Sequence, residues 1–138
     1  MKITLANLQK KIPVSAEKIK KLITQVLKGE RVKKSGQISI CFVDNQQIKK
    51  FNTKFLKVKR VTDVLAFNLS DKKNKNIILA DIVISAQEAL KQAARYKTTC
   101  DYELSLYAVH GLLHILGFND HTRDQIKLMR KKESQYVH

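Results

Sequence analysis

The segment DYELSLYAVHGLLHILG, residues 101–117, limits what this chain can fold into more than any other stretch. It is apolar nearly all round at helical spacing, so it is stable only as a helix with neighbours on every side. It nevertheless carries His110 and His114, four residues apart. That spacing stacks the two imidazoles on one helix face, about 5–6 Å apart at Cβ. Two histidines without partners inside an apolar helix would cost desolvation free energy. Either they are satisfied core residues, or they share a ligand. A single tetrahedral ion, reached at about 2.0–2.1 Å from each donor nitrogen, needs two ligands placed in this way.

Gly117 bears on the choice. Glycine enters the left-handed conformation without Cβ strain, so a helix ends readily at this position. A helix that stops three residues past His114 lets residues 118–121 fold back toward the histidine face. A third ligand can then come from the turn, and Asp120 and His121 both lie within reach. Helix, glycine turn, third ligand is the layout of the metzincin signature H-E-x-x-H-x-x-G-x-x-H. Here the Glu that serves zinc peptidases as general base is replaced by Gly111.

The rest of the chain supplies a frame. Residues 2–6 alternate as a short strand, and a helix opens near Ser15, carries Ile19, Leu22, Ile23, Val26 and Leu27 at helical spacing, and closes near Gly29. Ser35-Gly36 is a turn signal before a strand at 37–43, and Asp44 caps a short helix bearing Ile48 and Phe51. Strands are expected at 61–69 and 77–85 as a hairpin-like pair, the second apolar on both faces and so interior to a sheet. Helices are expected at 86–97 and 122–136. The class is α+β: a small mixed sheet packed with helices around the buried histidine helix. With 138 residues, no repeat and no linker, a single domain over 1–138 is expected.

Charge separates the two halves. Residues 1–60 carry sixteen Lys or Arg against three acids, a surplus of +13, whereas residues 61–138 carry eleven against nine. The first half therefore offers a cationic surface suited to polyanions, although a solvated lysine face has the same composition. No aromatic-interleaved motif for stacking bases is present, nor any DNA-specific motif. No run reaches the roughly 18 apolar residues of a membrane span. Lys10 and Lys11 interrupt the place of a signal peptide's apolar stretch, and two cysteines, Cys41 and Cys100, are too few for a disulfide framework. A cytoplasmic protein is expected. Neither cysteine has a histidine nearby in sequence, which disfavours a thiol nucleophile.

HGLLHILGF, preceded by TDVLAF and DIVIS, resembles the YbeY family of bacterial rRNA maturation factors, metal-dependent endoribonucleases of one domain. The family hallmark H-G-x-L-H-x-x-G-[YF]-D-H and its upstream segments match in order and spacing from Asn52 to about Glu133, with Met129 and Glu133 at familiar places. The resemblance implies a compact α+β fold, one Zn2+ per chain, and an RNA substrate: rRNA or the small ribosomal subunit. It also implies His110 and His114 as metal ligands. The third family histidine falls ten residues after the first, where this chain has Asp120, with His121 one further. Relatives ending G-Y-K-D-K favour Asp120 as third ligand, and His121 through a one-residue bulge is the alternative. The usual arginine after the aromatic of N-x-x-Y-R is Leu56 here, following Asn52 and Phe55; Lys57, Lys59 and Arg60 stand near enough to replace its charge and are RNA-binding candidates. Ala66 and Asn68 replace the usual Ser and Pro.

Three protein ligands leave a fourth position open, the mark of a catalytic site. Metal-assisted cleavage of RNA phosphodiester bonds in rRNA maturation or ribosome quality control is the leading reading, with a metal-activated water as nucleophile. The alternatives are a ribosome-associated RNA-binding factor with a structural or weakly active zinc site, and a zinc peptidase. The general base and acid stay open. Asp63 and Asp81 are available carboxylates but read better as structural or orienting groups, as does Thr62. Tyr96, Tyr102 and Tyr107 read as helix-packing residues.

Overall fold

The computed structural model describes residues 1–56 and 63–138. In chain order the elements are β1 (Lys2–Asn7), α1 (Ala16–Gly29), β2 (Ser35–Val43), α2 (Asn45–Leu56), β3 (Val64–Asn68), β4 (Ile77–Ser85), α3 (Ala86–Tyr96), α4 (Cys100–Ile115) and α5 (Arg123–Tyr136). The strands form one sheet in the order β1-β2-β4-β3. β1 and β4 each run parallel to β2, and β3 runs antiparallel to β4, with Val64 opposite Ile84 and Asn68 opposite Ala80. The expected mixed sheet and hairpin-like pair are present. The Ser35-Gly36 pair, expected as a turn, opens β2 instead. Gly36 has φ 129°, and a Cβ there would stand 1.9 Å from the carbonyl oxygen of Ile78, so the glycine marks a close approach between strands.

One face of the sheet carries the main core. Ile38, Ile40, Phe42, Ile78, Ala80, Ile82 and Ile84 point to it, and α1, α4 and the buried side of α5 cover it through Ile19, Ile23, Val26, Leu112, Leu113 and Met129. Each of the Ile, Val, Leu, Phe and Met side chains, fully buried, contributes about 1.5–3 kcal/mol of transfer free energy. The other face is covered only in part. There α2 sets Ile48 on Val43, Leu65 and Val83, while Leu79 and Asp81 of the interior strand β4 stay exposed. Among the described residues, no helix is long and apolar enough to cross a membrane.

α4 is the central helix that its sequence demands: nine of its sixteen residues are buried. It lies on the sheet at Gly111, where an added Cβ would meet Ile82 Cγ2 at 2.9 Å and Val64 Cγ2 at 3.3 Å. The position that holds the general-base glutamate in zinc peptidases is therefore pressed against β-strand side chains. Thr99 caps the helix start by accepting the Tyr102 N–H. At the other end Gly117, at φ 102°, forms a Schellman turn: its N–H donates to the His114 carbonyl and that of Phe118 to the Leu113 carbonyl.

Candidate metal centre

The two helix histidines meet at their outer nitrogens. His110 Nε2 and His114 Nε2 are 3.0 Å apart, with ring centroids 4.6 Å apart and planes at 80°. The turn after Gly117 brings Asp120 back over them, Oδ2 lying 3.3 Å from His114 Nε2 and 3.6 Å from His110 Nε2. Two contacts fix the path of this turn. Phe118 sits under the Lys132 ammonium, 5.6 Å from its ring centroid, and Thr122 caps α5 in a reciprocal pair with Gln125. Gln125 Oε1 also accepts the backbone N–H of His121. His121 is exposed and lies outside the cluster of His110, His114 and Asp120, whose donor atoms all fall within 4.8 Å of one another.

The donor set fits a single small cation. A tetrahedral ion with bonds of about 2.0–2.1 Å sets its ligand atoms about 3.3–3.4 Å apart. The three observed spacings, 3.0, 3.3 and 3.6 Å, bracket that value. Two imidazole nitrogens and one carboxylate oxygen suit a divalent transition metal, and the three side chains are half-buried, which leaves one side open.

A second carboxylate stands behind the first histidine. Glu133 Oε2 lies 3.6 Å from His110 Nδ1. A carboxylate on the far nitrogen of a metal-binding histidine fixes the ring and raises its basicity. Burial alone would lower the His110 pKa; Glu133, with Asp120 and Asp63 adding to it, outweighs that and holds the imidazole above its ordinary value. Glu133 falls four residues after Met129, the buried residue of α5, so it shares the inward face. That spacing was the sequence signal for a carboxylate aimed inward.

The other sequence-stated residues divide clearly. Asp63 lines the same cleft as His110 and Glu133. Its Oδ1 accepts the Val64 N–H, and its carbonyl accepts the Ser85 N–H. Asp81 sits on the opposite, open sheet face, because its neighbour Ile82 is the residue that faces α4. Cys41 is on Asp81's face. Burial, with Asp81 adding to it, pushes its thiol up; burial, with Asp101 and Glu103, does the same to Cys100, so both favour the thiol form. Tyr107 is buried and Tyr102 packs against the core, but Tyr96 is 61% exposed and does not pack as expected. Lys57, Lys59, Arg60 and Thr62 lie outside the described residues. Among the described residues, the cations lining the space beside His110 are Arg95 and Arg130, both from the half of the chain with balanced charge.

A buried helix that presents two imidazoles to a carboxylate beyond its glycine turn, set on a mixed sheet, places the chain among α+β proteins with a helix-and-turn metal centre. The chain belongs to the YbeY family: the family model described as endoribonuclease YbeY matches residues 4–138. Proteins named endoribonuclease YbeY from Pelotomaculum thermopropionicum and Clostridioides difficile are 35% and 34% identical to it, each aligned over 99% of this chain and 95% of its own length. The solution structure of TM1509 from Thermotoga maritima superposes with a TM-score of 0.62 at 22% identity, covering 98% of this chain and 86% of that one, and shares the fold.

Proposed function

We propose that this chain is a metal-dependent endoribonuclease that uses one zinc ion held by His110, His114 and Asp120 and acts on ribosomal RNA in the cytoplasm. The observation that carries the reading is the spacing of the three donor atoms, 3.0–3.6 Å, on a rigid helix and turn. The family membership supports the nuclease class. An ion there supplies Lewis acidity, which polarises a phosphate oxygen or acidifies a water.

The chain's own residues do the remaining work. α4 is buried and holds both imidazoles in place before any ligand arrives, so little side-chain freedom is lost on binding. Glu133 orients His110 from behind and keeps its Nε2 directed at the cluster. The Schellman turn delivers Asp120, and using a carboxylate as third ligand makes the centre one unit less positive than three histidines would. Gly111 excludes the peptidase's adjacent glutamate by contact with Ile82 and Val64, so a proton acceptor of the peptidase type is absent from that position. The lysines exposed along α1 and α2, such as Lys20, Lys21, Lys49 and Lys50, give a surface that attracts an RNA backbone.

The test is cleavage of purified ribosomal RNA by the chain with and without chelator. Cleavage that stops with chelator, returns with zinc and is absent in His114→Ala supports the reading. RNA binding that persists in His114→Ala with no cleavage by the parent chain overturns it and leaves an RNA-binding factor. Metal analysis of the purified chain reports the ion and its stoichiometry.

A further inference from the structure

We propose that the cleft beside His110 is a nucleotide subsite in which Tyr96 stacks on an unpaired base of the RNA strand while Arg95 and Arg130 hold the adjoining phosphate. The proposal rests on the endoribonuclease reading and deepens it by giving the strand a seat next to the metal cluster.

The cleft has a volume of about 630 Å3 and lies between the end of α3, the outer side of α4 and α5. That is within the roughly 300–1,000 Å3 of small-ligand sites. His110 and Glu133 form part of its wall, so it adjoins the cluster through these two residues. Arg130 joins the two spaces: it also lines a recess of about 250 Å3 shared by His110 and Asp120. It precedes Glu133 by three residues on α5, which puts both on one side of that helix.

Tyr96 is the last residue of α3 and is 61% exposed. An aromatic ring that packs so little still offers a flat apolar face, and RNA-binding proteins use such faces to stack unpaired bases. Its backbone is nevertheless fixed. Lys97 caps the helix in the left-handed conformation at φ 57°, its N–H and that of Thr98 both reach the Ala93 carbonyl, and Thr99 already caps α4. Only residues 97–99 separate the helices, so the backbone of Tyr96 is held at the mouth of the cleft. The Arg95 guanidinium lies over the same ring, 5.4 Å from its centroid.

Among the described residues the cleft is not uniformly cationic, and the charges are sorted. Glu103 is buried and accepts the Thr98 hydroxyl, while Glu133 faces His110 and Asp63 accepts the Val64 N–H. Arg95 and Arg130 are exposed at the rim. A phosphate is repelled by the floor and attracted by the rim. A base with its N–H edge turned inward meets acceptors. The sorting therefore orients a nucleotide, base inside and phosphate outside.

The test is an NMR titration of the full chain with adenosine 5′-monophosphate, ribose 5-phosphate and a short oligoadenylate. Parent, Tyr96→Ala, Tyr96→Phe and Arg130→Ala proteins are compared, and the set is repeated in a His114→Ala background so that bound metal plays no part. Adenosine monophosphate is expected to shift the Tyr96 ring signals. Tyr96→Ala should weaken it by roughly 10- to 100-fold, with Tyr96→Phe within about twofold of the parent. Arg130→Ala should weaken all three ligands, and the oligoadenylate should bind more tightly than the monophosphate. Equal affinity in parent and Tyr96→Ala, or ribose 5-phosphate binding as well as the nucleotide, overturns the stacking site. A monophosphate that binds while the oligoadenylate does not would identify a free-nucleotide site and overturn the strand assignment. The titration needs no turnover, so it stays readable if the nuclease reading itself fails.

Discussion

Helix α5 is tied to the rest of the molecule by two carboxylate contacts, and they differ in kind. At its inner face Glu133 approaches His110. One turn later, Tyr136 donates to Glu30 at the end of α1, and Lys132 approaches the same carboxylate at 3.0 Å. Both contacts set a half-buried carboxylate against a proton-bearing ring. At Glu30 every partner is spoken for within the pair of helices. At His110 the imidazole has a second nitrogen turned outward to His114 and Asp120. The contact at Glu30 closes the structure. The contact at His110 supports a nitrogen that faces His114 and Asp120. Similar chemistry therefore yields a fastener in one place and a tuned donor in the other.

The comparison is tested most severely at the cluster. His110→Ala and His114→Ala are each expected to remove stoichiometric metal from the purified chain and to abolish metal-dependent cleavage. Metal analysis and an RNA gel check this; full metal content in both variants would reduce the helix histidines to core residues. The next effect belongs to Glu133→Gln. Loss of a carboxylate behind a histidine ligand typically costs about 10- to 100-fold in metal affinity. Competition with a chromophoric chelator should show a loss in that range, with the melting temperature of the metal-free protein little changed. If the variant instead lost stability and kept its metal affinity, the two α5 contacts would be of one kind.

Glu30→Gln should show the opposite pattern. Burial alone would raise the Glu30 carboxyl; the Tyr136 hydroxyl and Lys132 outweigh it and hold the group below its ordinary value, while burial and the same contact push the Tyr136 phenol up to about 12. A carboxylate depressed by folding contributes stability that is present above its unfolded pKa, near 4.5, and is lost as pH falls through the folded value. Replacing it should cost about 1.5–3 kcal/mol near neutral pH, the usual worth of hydrogen bonds to a charged group. The difference from the parent should shrink as denaturant melts are taken below about pH 4.5, and at neutral pH the variant should bind metal as tightly as the parent.

The legible parts of this molecule are those where spacing alone decides geometry. His110 and His114 could be paired from the sequence because four residues on a buried helix leave no other arrangement. The interior place of β4 was readable from its apolar run, but the facing of its carboxylate was not. Asp81 has Leu79 and Val83 on its own side and Ala80 and Ile82 on the other. Both sides are apolar, so alternation cannot say which one a helix covers. Tyr96 and the two arginines carried no signal because exposed positions on a helix read like any solvated face. Their meaning comes from the short connection to α4 and from α5 folding across, which are tertiary facts.

The choice between Asp120 and His121 was beyond periodicity for another reason: a turn has no repeat, and one residue of register reverses the answer. The structure shows what sets that register. The Schellman hydrogen bonds at Gly117 fix where the chain leaves α4, and the Thr122–Gln125 capping box fixes where it enters α5. His121 adjoins the cap, its N–H already donated to Gln125, and its exposed ring has little to lose. His121→Ala should therefore change metal affinity by less than about twofold and stability by within about 0.5 kcal/mol, as for ordinary surface substitutions. Asp120→Ala should weaken the metal far more, in the same chelator competition. The reverse order would mean that the turn repacks around a bound ion, with the helix cap giving way to admit the histidine.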